Sequence, residues 1–181
     1  MTLQRLWGPA SATLVVLVAG AAWAWRDCML LALSTVLSYR LFLLHMDRRA
    51  PWRAITAAVN ALSAGVLTVV AGLALIAAIA AAWLDWWRPA SEHAAASLLL
   101  LSLGAAWCCA SRIGRAEAAE ELRFWLCLLG AAAIAVEAQR TGWALAPCLF
   151  VAAVAMAMLW AGWHLATEAA SALLHAGCES H

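Results

Sequence analysis

Apolar residues run along this chain in long, nearly unbroken blocks, separated by short clusters where arginine, carboxylates and proline gather. The blocks are roughly 18 to 30 residues long, the length that crosses a bilayer rather than the length that fills a soluble core. Six can be marked out, at about 9–25, 28–45, 54–87, 94–111, 122–138 and 145–174. Backbone polar groups in lipid must be satisfied within their own segment, so helices are expected, and the alternating pattern of a barrel strand is absent. The pattern predicts an all-α integral membrane protein, a bundle of about six transmembrane helices. One transmembrane domain is expected over 1–177, with a short tail at 178–181. Only Arg26-Asp27 divides the first two blocks, so a tight hairpin that spans part of the bilayer is the alternative there. Arg5 and the apolar run after it resemble the start of a signal peptide; the run is read as a first membrane helix.

Composition agrees with this pattern. Apolar residues make up 67% of the 181, charged residues 12%, and mean hydropathy is +0.87. A soluble domain of this size needs more charge to cover its surface. Twelve tryptophans suit indoles placed at headgroup level. All eleven basic side chains are arginines, and they fall unevenly. With the N-terminus inside, seven lie in cytoplasmic stretches (Arg5, Arg48, Arg49, Arg53, Arg112, Arg115, Arg123) and three outside (Arg26, Arg88, Arg140). That bias predicts both termini in the cytoplasm. The expected location is a bacterial inner membrane, cytoplasmic or intracytoplasmic. A net charge of +1 without a basic, aromatic-laced stripe offers nothing to nucleic acid. The six cysteines have no framework spacing and no C-x-x-C, and most read as small hydrophobes.

The last third of the chain carries a recognisable run. Thr141-Gly-Trp143 closes the fifth block, Pro147 opens the sixth, and the sixth ends with Trp163, Leu165, Glu168, Ala169, Leu173, Leu174 and Gly177 at set intervals. Arg48-Arg-Ala-Pro51-Trp-Arg53 follows the second block, and Trp87-Arg88-Pro89 ends the third. This resembles the transmembrane domain of the cation diffusion facilitators, the zinc, cobalt and iron efflux proteins. The match is good over about 125–177, loose over 27–90, and absent at the N-terminus. The resemblance implies six helices with both termini inside, transport of a divalent cation such as Zn²⁺ against protons, and a dimer.

The chain departs from that family where the cargo binds. Members carry Asp/His-x-x-x-Asp pairs on the second and fifth helices, a spacing that puts both ligands on one helix face. Here Val36 and Arg40 stand at the first pair, and Glu120 or Glu121 with Phe124 or Trp125 at the second. The metal-binding domain that follows the sixth helix in the family is replaced by Cys178-Glu-Ser-His181. A fixed positive charge beside a divalent ion's seat repels it by several kcal/mol in a poorly screened site.

The remaining polar groups are few, and each has two readings. Arg40 either snorkels to the inner face near His45 or pairs across to Glu121 or Glu117, an ion pair taking over the metal's role as the tie between helices. Glu117-x-x-x-Glu121 is either a salt-bridged helix start or, with His45 or Cys109, a candidate cation site. His164 and Glu168 stand four apart; a lone His164 or His45 ligating haem or chlorophyll is the other possibility. His175-x-x-Cys178-x-x-His181 offers an incomplete Zn²⁺ or Cu⁺ cluster. Ser34, Thr35 and Ser38, with Asn60, Ser63 and Thr68, form a modest polar stripe of the kind that packs membrane helices. No catalytic triad or phosphate loop is present, so an enzyme is not expected. Two functions remain: a minimal cation transporter of the efflux type, or a non-catalytic accessory subunit of a larger membrane complex, respiratory or photosynthetic.

Overall fold

The computed structural model describes residues 2–48, 54–84, 94–111 and 118–178. These form six α-helices: α1 (Thr2–Trp25), α2 (Cys28–Arg48), α3 (Ala54–Trp83), α4 (Ala94–Ser111), α5 (Ala118–Arg140) and α6 (Ala146–Cys178). Two stretches, Thr56–Ala82 of α3 and Ala146–Leu174 of α6, are long and apolar enough to cross a membrane. Shorter apolar runs lie at Val15–Trp25, Cys28–Leu43 and Leu101–Ala110.

Helix ends differ from the pattern-based limits for physical reasons. Pro9 reads as a first helical position, yet α1 begins before it, at Thr2. The fifth helix was expected from 122, where the apolar run starts, but α5 begins four residues earlier and takes Glu120 and Glu121 into its first turn. Carboxylates are favoured there by the exposed N–H groups and the helix dipole, so the polar residues belong to the helix rather than to the loop. Arg140 in the last turn of α5 complements the other end. The expected end of the third segment, at 87, lies outside the described residues, as do 49–53, 112–117 and 179–181.

Two tight turns follow one design. Between α1 and α2, the Arg26 N–H donates to the Trp23 carbonyl at 3.2 Å and the Asp27 N–H to the Ala22 carbonyl at 3.1 Å, with Arg26 at φ 51°. Between α5 and α6, Gly142 donates to Gln139 at 3.1 Å and Trp143 to Ala138 at 2.8 Å, with Gly142 at φ 106°. Both are Schellman closures with a left-handed residue just past the helix. Gly142 adopts that conformation freely, whereas Arg26 holds it against its own Cβ. Asp27 then starts the next helix. Its Oδ1 accepts from the Met29 and Leu30 N–H groups at 2.9 and 3.0 Å, and the residue is only 1% exposed.

α2 is the central element, packed against α1, α3, α4 and α6, with Leu30, Leu33 and Leu37 fully buried. α3 and α6 form the most extensive pair. Their contact runs antiparallel, since Gly65 faces Gly162 and Ala166 while Gly72 faces Ala155 and Leu159. A Cβ on Gly65 would sit 2.7 Å from the Ala166 backbone nitrogen, and one on Gly162 would sit 2.8 Å from the Gly65 carbonyl oxygen. Small residues let two backbones touch, which maximises dispersion contact between the helices. The hydroxyl stripe plays a smaller part than its spacing suggests. Ser34, Ser38, Ser63 and Thr68 donate to carbonyls of their own helices at 2.7–2.9 Å. Thr35 also donates to its own helix, at 2.6 Å from the Ala32 carbonyl, and its Oγ1 reaches across α2–α6 to the Met158 sulfur at 3.3 Å.

These contacts set the expected cost of three substitutions. Gly162→Leu should destabilise the detergent-purified protein by about 3 kcal/mol or more, because backbone rather than side chain must move. Gly130→Ala on α5, whose Cβ meets open space, should be neutral or stabilise by up to about 1 kcal/mol. Equal melting-temperature shifts for the two would contradict the close crossing. Asp27→Ala should cost about 1–2 kcal/mol in the same assay, the loss of a buried helix cap.

Candidate functional site

Four side chains meet where α2 and α5 face each other. These helices do not pack backbone to backbone; long side chains bridge them. Position 40 lies near the end of the Cys28–Leu41 stretch that α2 gives to the core, and Glu121 lies in the first turn of α5. The Arg40 Nη1 stands 3.5 Å from the Glu121 Oε2. The arginine side chain keeps 25% exposure while the carboxylate keeps 3%.

The aromatic residues complete the arrangement. The Trp125 Nε1–H, one turn along α5, donates to the Glu121 Oε1 at 2.9 Å. Each carboxylate oxygen thus faces its own partner, guanidinium on one side and indole on the other. The Arg40 guanidinium carbon lies 3.7 Å above the Phe124 ring centroid, a cation–π contact. Phe124 and Trp125 stack edge to face at 5.5 Å, and Trp125 is 1% exposed. Val36, one turn before Arg40 on α2, is also buried. The i,i+4 spacing puts Glu121 and Trp125 on one face of α5, one turn apart, with Arg40 reaching that face from α2.

Magnitudes show what such a site does. Opposite unit charges about 4 Å apart attract by about 4 kcal/mol at an effective dielectric of about 20. Removing both ions from water costs several kcal/mol each in a fully buried site, and Arg40 avoids part of that by its residual exposure. The net contribution to stability is therefore small. The penalty for losing one partner is large, because a buried charge is left alone.

The other sequence candidates lie apart or beyond the described residues. Glu117, Arg112 and Arg115 are outside them. His45 lies in α2, and its side chain is not among those described; neither are the side chains of His175 and Cys178, while His181 is outside. Among the described residues, no three His, Cys, Asp or Glu groups come together as a metal site would require. Cys109 on α4 is within electrostatic reach of Glu121. His164 and Glu168 pair with each other on the outer surface of α6, Nδ1 to Oε1 at 3.2 Å, with the Trp160 ring 5.6 Å from the imidazole. The resemblance puts Phe124 or Trp125 at a ligand position, whereas in the structure they contact Arg40 and Glu121. The signal was present: an indole four residues after a glutamate on one helix face can donate back to it.

No protein-family model matches this chain, and neither the curated proteins nor the solved structures give a significant match to it.

A double-mutant cycle tests the site. Arg40→Met should cost about 3 kcal/mol, whereas Arg40→Met with Glu121→Leu should cost clearly less than the sum of the singles, with a coupling of about 1–3 kcal/mol. Additive losses in thermal unfolding would contradict a coupled pair. Trp125→Phe, which removes the donor but keeps the bulk, should cost about 1–3 kcal/mol.

Proposed function

We propose that this chain is an integral protein of the cytoplasmic membrane, built like the transmembrane domain of a cation diffusion facilitator, that has exchanged its cargo site for a fixed ion pair. It serves as a non-transporting accessory subunit of a larger membrane complex. One observation carries this reading: a guanidinium lies 3.5 Å from the carboxylate at the α2–α5 position where the resemblance would place cargo ligands. A tethered cation fills the electrostatic role of a mobile one, and it cannot leave.

The surface supports the membrane part of the proposal. Large apolar side chains stand outward on most helices, among them Val16, Leu99, Leu126, Ile134 and Met156, each more than 60% exposed. Such a surface is poorly matched to water and well matched to hydrocarbon. Trp160 and Trp163, beside the His164–Glu168 pair, suit the amphipathic headgroup level. α6 runs 33 residues, so its end extends beyond the ~20 residues that hydrocarbon requires.

The test is purification from native membranes in a mild detergent, with mass spectrometry and metal analysis of what co-elutes, followed by Zn²⁺ uptake into proteoliposomes. Larger subunits in fixed ratio, and no uptake, are the expected result. An isolated homodimer holding about one Zn²⁺ per chain and accumulating the ion would overturn the proposal and return attention to Glu117, Glu121 and His45.

A further inference from the structure

A groove of about 230 Å³ opens between α2, α3 and α6. Its walls include Thr35, Tyr39 and Phe42 of α2, Ala64 and Ala71 of α3, and Met158 of α6. It exists because α3 presents small residues along one stripe, at 64, 68 and 71, on the side turned to α2. α2 answers with side chains that do not reach the floor. Leu67, also in the lining, is 64% exposed and stands at the mouth.

The chemistry of the lining restricts what fits. Four hydroxyl-bearing side chains line the groove, those of Thr35, Ser38, Tyr39 and Thr68, and three of them donate to carbonyls of their own helix. Thr35 donates to the Ala32 carbonyl at 2.6 Å, Ser38 to Ser34 at 2.7 Å, and Thr68 to Ala64 at 2.7 Å. What they present to the cavity is methyl and methylene surface. A polar ligand would lose its water there and find few donors in return. A hydrocarbon loses nothing. At roughly 30 Å³ for a water-sized group, the volume admits about eight methylenes. The floor from Ala64 to Ala71 is about 10 Å long at the helical rise, which suits a slender chain and not a globular ligand.

We propose that this groove holds a stretch of about eight methylenes of one acyl chain of a bilayer phospholipid, the rest of the chain running on past the mouth, as a bound structural lipid rather than as passing solvent. The inference rests on the membrane reading above. The chain enters at Leu67 and lies along the stripe of Ala64, Thr68 and Ala71, against Met158. Tyr39 and Phe42 mark the end nearer the charged inner loops.

Native mass spectrometry tests it, on full-length protein extracted from phosphatidylethanolamine/phosphatidylglycerol vesicles at detergent levels that strip surface lipid. Wild type should retain one phospholipid. Ala71→Phe fills the floor and Leu67→Trp closes the mouth, and both should lose that lipid. Two variants are used so that a folding defect in one does not decide the matter. Val70→Trp, on the exposed face of the same helix, should retain it. Membrane-inserted wild type with no retained lipid would overturn the inference alone, as would equal retention in all four proteins. A homodimer abolished by Ala71→Phe would replace the lipid with a second copy of the chain. Failure of the chain to enter vesicles would instead remove the membrane reading, and the inference with it.

Discussion

A charged arginine within a bundle of leucine, alanine and valine has to be answered, and much of the arrangement around α2 and α5 can be understood as that answer. Glu121 supplies the opposite charge, Phe124 lies under the guanidinium, and the Trp125 N–H takes the second carboxylate oxygen. None of the four is optional once Arg40 is present. Without the indole, one carboxylate oxygen would lose its donor; without the ring, the guanidinium would lose its stacking face. The pair adds little net stability, because desolvation offsets attraction. What it gives is a defined relation between two helices whose backbones do not touch.

The opposite solution holds α3 to α6. There the backbones touch through Gly65, Gly72 and Gly162, and no charge is involved. One contact is specified by the absence of side chains, the other by long side chains spanning a gap. Both need a particular register. A one-residue slip of α3 would present Val66 to α6 in place of Gly65, and a one-residue slip of α5 would replace Glu121 with Leu122 or Glu120. The bundle is thereby fixed twice, at sites that share no residue.

Much of this was legible in the sequence, though unevenly. The existence of six helices follows from block length, and the turn at Gly142 from the Thr141-Gly-Trp143 run that closes the fifth block. The pairing of Arg40 with Glu121 was readable as one of two choices, because an arginine inside an apolar block has few carboxylates within reach. The helix partners were not readable: the small-residue pattern of α3 is repeated across a chain this rich in alanine, and nothing local says that Gly65 meets Gly162. The start of α5 was missed because apolar content was used as its edge, while Glu121 belongs to the helix through its N-terminus and its partner. Arg26 in a left-handed conformation is equally invisible, since position alone forces it.

If a tethered ion stands where a carrier holds a mobile one, as proposed, that bears on what motion the bundle can perform. A carrier needs a site whose charge changes as cargo enters and leaves, so that two conformations trade places in stability. At Arg40 and Glu121 the positive charge is covalently held and the negative charge is surrounded by donors, so neither occupant departs. On the proposed reading, the energetic reason to alternate is therefore gone: any opening of α2 from α5 takes the guanidinium away from the buried Glu121 carboxylate and strips the arginine of both its partner and its ring. A bundle that resists opening in this way is well suited to stand beside moving parts of a larger assembly, and poorly suited to be one.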